Sequence, residues 1–129
     1  MTIKIMIKSN KYKRRFGEII LGNVLSTIVN ETVKYGFSPI SRVTVIVVDQ
    51  LDAYEPVLSS KIYPHEGVVV DPTLRIIIVV YSEILPLLIE RVLRGVVALL
   101  LIDNLAKYDT ALADELVRKM YFKVVVKCL

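Results

Sequence analysis

Apolar and polar residues alternate at the start of the chain and then change to a helical spacing. Isoleucine alternates with lysine and methionine over residues 3–8, which predicts a strand with one buried face and a lysine-protected edge. From Phe16 to Tyr35 the apolar residues recur at intervals of three and four, which predicts an amphipathic helix. Gly36 and Pro39 follow as signals that end it.

The middle of the chain is dominated by β-branched residues. Arg42–Val48 forms one such run and predicts a strand. Residues 49–63 are more polar and predict a loop or a broken edge strand. Gly67–Val70 and Arg75–Tyr81 are apolar and are joined by Asp71–Leu74, whose second residue is proline. This arrangement predicts a hairpin closed by a type I turn.

The last third of the chain predicts two helices and a short tail. Ile84–Lys107 is a long central helix whose polar stripe fades toward its C-terminal half, so we expect that half to be covered on nearly all sides. A second helix begins near Asp109, a good N-cap, and carries Asp114 and Arg118 at the spacing of an ion pair. The tail, Phe122–Leu129, is either a last strand or an extension of this helix, and its valines favour the strand.

Together these elements predict one α+β domain over residues 1–129. We expect a small mixed sheet of three to four strands with three helices, the central helix covering about residues 84–107 and a basic strand and loop covering residues 1–15. A chain of 129 residues is long enough to bury a core without a metal or a disulfide. The single cysteine, Cys128, allows no internal disulfide and fits a cytoplasmic location.

The chain is more apolar than one core of this size can hide. Hydrophobic residues make up 54% of it and the mean hydropathy is +0.56, above the usual range for globular domains. The surplus predicts a surface for self-association, as in a homodimer, or for a protein partner. Abundant Val, Ile, Lys and Glu are typical of a heat-adapted, thermophilic source.

A membrane span is not predicted. Ile84–Ile102 is the most apolar stretch, but Glu90, Arg91 and Arg94 lie near its middle, where each charge would be costly in hydrocarbon. The first residues alternate in charge and lack the continuous apolar segment of a secretory signal. We therefore expect a core helix and a cytoplasmic protein.

Positive charge is concentrated at the start of the chain. The first fifteen residues contain six basic side chains and no acid, whereas the rest has eleven basic and thirteen acidic residues, a net charge of −2. Lys11, Lys13, Arg14 and Arg15 surround a tyrosine, a combination suited to nucleic-acid phosphates and bases. Nucleic-acid binding through this segment is the alternative to a protein-interaction function.

Four segments in order carry a family resemblance over about residues 40–121. They are Val47–Tyr54, Gly67–Val70, Ile84–Leu88 with the helix that follows, and Ala111–Leu116. In this order the chain resembles zincin-like domains of the gluzincin type, especially minimal archaeal forms. The resemblance implies a zincin-like core with the long helix in the place of the active-site helix.

The resemblance also implies that the metal ligands have been lost. The HExxH motif of the family falls on residues 94–98. Arg94 and Ala98 take the places of its two histidines, Gly95 takes the place of its glutamate, and the third ligand falls near Thr110. A zinc site of this kind needs two imidazoles one helical turn apart. Asp114 matches a supporting aspartate of the family. The expectation is an inactive metallopeptidase homologue with no catalytic residue, metal or cofactor.

Other chemistry-bearing residues favour ordinary roles. His65 is the single histidine, and one imidazole does not define a metal site. Asp49, Asp52 and Glu55 could offer oxygen ligands to a hard cation, but turn-forming carboxylates are the commoner case. Ser59 and its neighbour Ser60 have no histidine partner placed by the sequence, so nucleophilic catalysis has no support.

One group of charged residues is a candidate cleft. Glu90 and Arg94 lie one helical turn apart, and the resemblance adds Asp114. Arg94 could bind an anion or a peptide carboxylate there, while an ordinary ion pair within the helix is the competing interpretation. The sequence thus predicts a non-catalytic domain that acts through protein–protein contact.

Overall fold

A computed structural model describes residues 2–9, 14–54 and 57–128. Its five strands are β1 (Thr2–Ile7), β2 (Arg42–Val48), β3 (Ile62–His65), β4 (Val68–Asp71) and β5 (Ile76–Val80). Its three α-helices are α1 (Arg14–Val33), α2 (Leu85–Leu105) and α3 (Thr110–Cys128), and one turn of three-ten helix covers Leu51–Ala53. Up to α3 the predicted elements therefore occur in the predicted order, and the tail differs as described below.

The strands form one mixed sheet in the order β1-β2-β5-β4-β3. The first two pairs, β1 with β2 and β2 with β5, are parallel, and β5, β4 and β3 continue as an antiparallel meander. The predicted α+β class, mixed sheet and three helices are confirmed. The predicted count of three to four strands was too low because Ile62–His65 pairs with β4 as an irregular edge strand, where its proline needs no ladder partner.

The main core lies between the sheet and the helices. α1 packs on β1, α2 packs on β3, β4 and β5, and α3 packs on both of the other helices. The central helix is thereby covered by the sheet and by two helices, and Leu99, Leu100 and Leu101 are all 0% exposed. Residues 95–101 are buried without interruption, as predicted for the C-terminal half of α2, but its last turn reaches the surface, where Asp103 and Leu105 are exposed.

A smaller apolar cluster covers the opposite face of the sheet. Its buried members come from β2, β4, β5 and the segment before β3: Ile46, Val48, Leu58, Val69 and Ile78. Leu51 and Tyr54 pack against them from the three-ten turn. Leu51, Tyr54 and Leu58, all from the connection between β2 and β3, therefore cover this face of the sheet, and we call the part of this connection at residues 57–61 the lid segment.

The prediction of a strand in the tail was wrong. α3 continues to Cys128, and Val124 is 0% exposed within the helical core. Buried positions 113, 116, 117, 120 and 124 keep one helical spacing across the whole segment. Packing of this stripe on α1 and α2 outweighs the strand preference of three consecutive valines.

The central helix ends abruptly. Ala106 adopts a left-handed conformation (φ 58°) and donates its N–H to the Ile102 carbonyl, a common way to satisfy the last turn. Asp109 then accepts a hydrogen bond from the Leu112 N–H and caps α3, as predicted.

Within the described residues, no helix combines the length and apolarity needed to cross a membrane.

Candidate functional site

Arg94 is the centre of a polar cluster on the central helix. Its Nη1 lies 2.5 Å from Asp114 Oδ1, and its Nη2 lies 3.7 Å from Glu90 Oε1. The Arg94 side chain is only 17% exposed, and its Nε is buried without a hydrogen-bond partner. The structure thus brings together the three residues of the predicted cleft.

Three different elements supply the side chains of this cluster. Glu90 and Arg94 lie one turn apart on α2, and Asp114 lies at the start of α3. Because α3 returns along α2 after a short connection, Asp114 pairs with Arg94. The sequence spacing had predicted Arg118 as its partner. His65 at the end of β3 completes the group, with its Nε2 3.8 Å from Glu90 Oε1.

Tyr108 borders the cluster from the connection between α2 and α3. Burial and the Asp114 carboxylate raise the pKa of Tyr108 above its usual value, and the opposing effect of Arg94 is smaller. The phenol therefore stays protonated at neutral pH. It does not serve as a general base beside Arg94.

The composition of the cluster limits what it can do chemically. One guanidinium is shared by two carboxylates, so its positive charge is already neutralised and an anion gains little by binding there. His65 and Glu90 offer two donors, and no group of three or more candidate metal ligands occurs among the described residues. The contacts instead connect β3, α2 and α3.

The positions at which the resemblance would place the zinc site differ widely in their surroundings. Ala98 is 0% exposed in the main core, and Gly95 packs so tightly on Ile77 that an added Cβ would lie 2.4 Å from its Cγ2. Thr110, by contrast, is exposed at the first residue of α3. A glutamate or histidine at position 95 or 98 would require the core beneath α2 to be rebuilt.

The carboxylates predicted as cation ligands take other partners or lie elsewhere. Asp49 accepts a hydrogen bond of 2.5 Å from the Ser9 hydroxyl, which links the ends of β1 and β2. Asp52 is exposed on the three-ten turn, and Glu55 lies outside the described residues. These three residues are not brought together by any described contact.

Two buried carboxylates were missed at the sequence level. Asp71 is 0% exposed. Its two oxygens accept backbone N–H groups from residues 59, 60, 73 and 74. Burial raises the pKa of Asp71, but the N–H donors of Leu74, Ser59 and Ser60 outweigh it and hold the pKa below its usual value. The serine pair therefore anchors the lid segment to the turn after β4.

Glu31 is the second buried carboxylate and joins two helices. Its Oε1 accepts hydrogen bonds from Lys127 Nζ at 2.7 Å and from Lys34 Nζ at 3.0 Å. These bonds hold the pKa of Glu31 below its usual value against the opposing effect of burial. Lys127 thereby fastens the last turn of α3 to α1.

The predicted nucleic-acid segment is described only in part. Lys11 and Lys13 lie outside the described residues. Arg14 and Arg15 form the start of α1 in the backbone.

The outer face of α3 carries an exposed aromatic residue. Phe122 is 73% exposed and Val126, one turn later, is 59% exposed. At about 100° per residue, Phe122 lies almost opposite the buried stripe of α3, so it marks the centre of the solvent face. We call Phe122 and Val126 the outer patch. Its signal in the sequence was an apolar pair that does not fit the spacing of the buried residues.

Charge on α3 changes sign along the helix. Asp114 and Glu115 lie in its first half, whereas residues 118–128 contain four basic residues and no acid. Glu115 pairs with Lys119 at 2.9 Å, as its spacing allows. Arg118 helps to lower the pKa of Glu115 through its charge, but neither Arg118 nor Lys123 forms a close ion pair with a described carboxylate. The outer patch is therefore flanked by positive charge.

Comparisons with protein-family models, with curated proteins and with solved structures found no match to this chain. The resemblance to zincin-like domains stays a prediction that rests on the order of its four segments.

Proposed function

We propose that this domain is non-catalytic and acts by binding another protein through the outer face of α3. The exposure of Phe122 at the centre of that face carries the proposal. An aromatic side chain left in water is costly, and aromatic residues are enriched at the contact residues that dominate protein interfaces. Val126 beside it extends the apolar surface along the helix.

The polar cluster supports the non-catalytic part of the proposal. Arg94 is occupied by Glu90 and Asp114, and the burial of Gly95 and Ala98 leaves no room for ligands on that side of α2. As an inactive zincin-like domain, the protein would keep the long helix as scaffold and use a different surface for contact.

A partner of different sequence fits the outer patch better than a second copy. An α3–α3 pair centred on the patch would bring Arg118 and Lys123 of both copies into one interface with no carboxylate from the outer patch to pair with them. Like charges brought together at an interface are costly. The predicted homodimer is therefore the less favoured form of association through this face.

A library of displayed random helix-forming peptides tests the proposal. Peptides are selected on the immobilised domain, and their affinity is then measured for the natural domain and for the Phe122→Ser variant. Ile19→Ser is the matched control, because Ile19 is also an exposed apolar residue, at 60%, but lies on α1. We expect selected peptides to bind the control as tightly as the natural domain and to bind Phe122→Ser about tenfold more weakly or worse.

Two results would contradict the proposal. Selected peptides that bind Phe122→Ser and the natural domain equally would place the contact surface elsewhere. Sedimentation that shows a dimer disrupted by Phe122→Ser but not by Ile19→Ser would make a second copy the occupant of the patch.

A further inference from the structure

We infer that the partner is an acidic amphipathic helix, whose apolar side covers the outer patch and whose flanking carboxylates pair with Arg118 and Lys123. The inference rests on the proposed function, because it names the chemistry of the partner at that same surface. Three features of α3 carry it: the placement of its cations, the lack of a close ion pair for two of them, and the shape of the exposed ridge.

The cations lie where a partner's carboxylates would reach them. Arg118 is one turn before Phe122 on the same ridge, and Lys123 follows Phe122 directly and reaches toward the turn after α1, with its Nζ 6.0 Å from the ring centroid of Tyr35. One positive charge therefore lies at the N-terminal end of the outer patch and another on its α1 side. An apolar centre with a charged rim is the usual anatomy of a protein interface.

The two rim cations differ from the other basic residues of α3. Lys119 is paired with Glu115 and Lys127 with Glu31, so their charges are compensated within the domain. Arg118 and Lys123 make no ion pair with a described carboxylate. A partner that supplies two carboxylates would complete these pairs, and complementary charge at the rim would raise the association rate and the specificity.

The exposed ridge has the geometry that helices use to pack on one another. Arg118, Phe122 and Val126 are spaced by four residues and form one continuous row on α3. Rows of this spacing fit into the grooves of a second helix. A partner helix with apolar residues at intervals of three and four would bury the outer patch and place its polar flanks over the two cations.

The peptides selected on the natural domain provide the test. We expect those that depend on Phe122 to contain more Asp and Glu than Lys and Arg, and to have apolar residues at helical spacing. Their affinity should fall about tenfold for the double variant Arg118→Glu/Lys123→Glu and should weaken as salt is added. The control is Lys61→Glu/Lys107→Glu, which makes the same charge change at exposed residues outside α3.

The outcomes separate this inference from the proposed function. Peptides that depend on Phe122 but are neutral or basic would overturn the acidic partner and leave the contact surface in place. If no selected peptide depends on Phe122, both fall. Vesicles of equal parts phosphatidylcholine and phosphatidylserine, and a single-stranded oligonucleotide, are measured in parallel. Binding of either that is lost in Arg118→Glu/Lys123→Glu, without acidic peptides being selected, would assign the patch to a membrane or to nucleic acid instead.

Discussion

Gly95 on the central helix lies against Ile77 of β5 so closely that a Cβ would come within 2.4 Å of Ile77 Cγ2. Ile77 is 0% exposed and lies within β5, so it has little freedom to move aside. This contact sets how closely α2 approaches the sheet. It also explains a glycine in the interior of a long helix, where alanine would ordinarily be preferred.

We predict opposite effects for two glycine substitutions. Gly95→Ala should lower the free energy of unfolding by about 1–3 kcal/mol, because overpacking exceeds the gain in helix propensity. Gly22→Ala in α1 should raise it by about 0.5–1 kcal/mol, since nothing lies within 4 Å of the new Cβ. Urea denaturation of both variants measures the difference, and equal effects would contradict the close contact.

Loss of the Asp114 carboxylate should loosen the joint between α2 and α3. Asp114→Ala leaves Arg94, only 17% exposed, with the more distant Glu90 as its one carboxylate. We expect a loss of about 1 kcal/mol of stability, limited because Asp114 itself is 56% exposed. Glu115→Ala, which breaks an exposed pair within α3, is the control and should cost less. The reverse ranking would show that Arg94 does not depend on Asp114.

The buried carboxylate of Asp71 should be hard to replace. Asp71→Asn keeps the size of the side chain but exchanges one acceptor oxygen for an amide that faces N–H donors. Four backbone N–H groups depend on those oxygens, so we expect a loss of about 2–3 kcal/mol. Denaturant unfolding measures it, and hydrogen exchange at Ser59 and Ser60 should accelerate. Unchanged exchange at these amides would show that the lid segment is held by other contacts.

The Glu31 ion pairs should make stability depend on pH in the acid range. Because the pKa of Glu31 is lowered in the folded state from its usual 4.5, the stabilisation is complete above that pH and is lost as the pH falls through the folded-state pKa. Glu31→Gln should cost about 1–2 kcal/mol at neutral pH.

The difference in stability between the natural protein and the Glu31→Gln variant should shrink as the pH falls below 4.5, the usual pKa of a glutamate side chain. Thermal unfolding across the acid range checks this. Curves that remain parallel at all pH values would mean that Glu31 does not titrate differently in the folded and unfolded states.

The spacing of apolar residues was sufficient to predict those strands and helices whose structure follows from their own sequence. The alternation over residues 3–8 and the β-branched run Arg42–Val48 predicted β1 and β2, and the apolar length of residues 84–107 predicted a covered central helix. Each pattern shows which residues must be buried. An alternating pattern places them on one face of a strand, and a spacing of three and four places them on one face of a helix.

Local patterns failed where the partner element matters. Val124, Val125 and Val126 favour a strand by propensity, yet the helical stripe beneath them is fixed by α1 and α2, elements far away in the sequence. Asp114 had a suitable partner in Arg118 on its own helix, but the packing of α3 on α2 offered Arg94, whose charge is less solvated and more in need of a carboxylate.

By itself the sequence determined the α+β class, the order of the elements up to α3 and the lack of histidine and cysteine in the central helix, because these follow from residue types and their spacing. Only the tertiary structure decided the strand order, the partners of Asp71, Glu31 and Asp114, and the outward direction of Phe122. Spacing specifies that a face will be buried, whereas the element that covers it depends on contacts between distant parts of the chain.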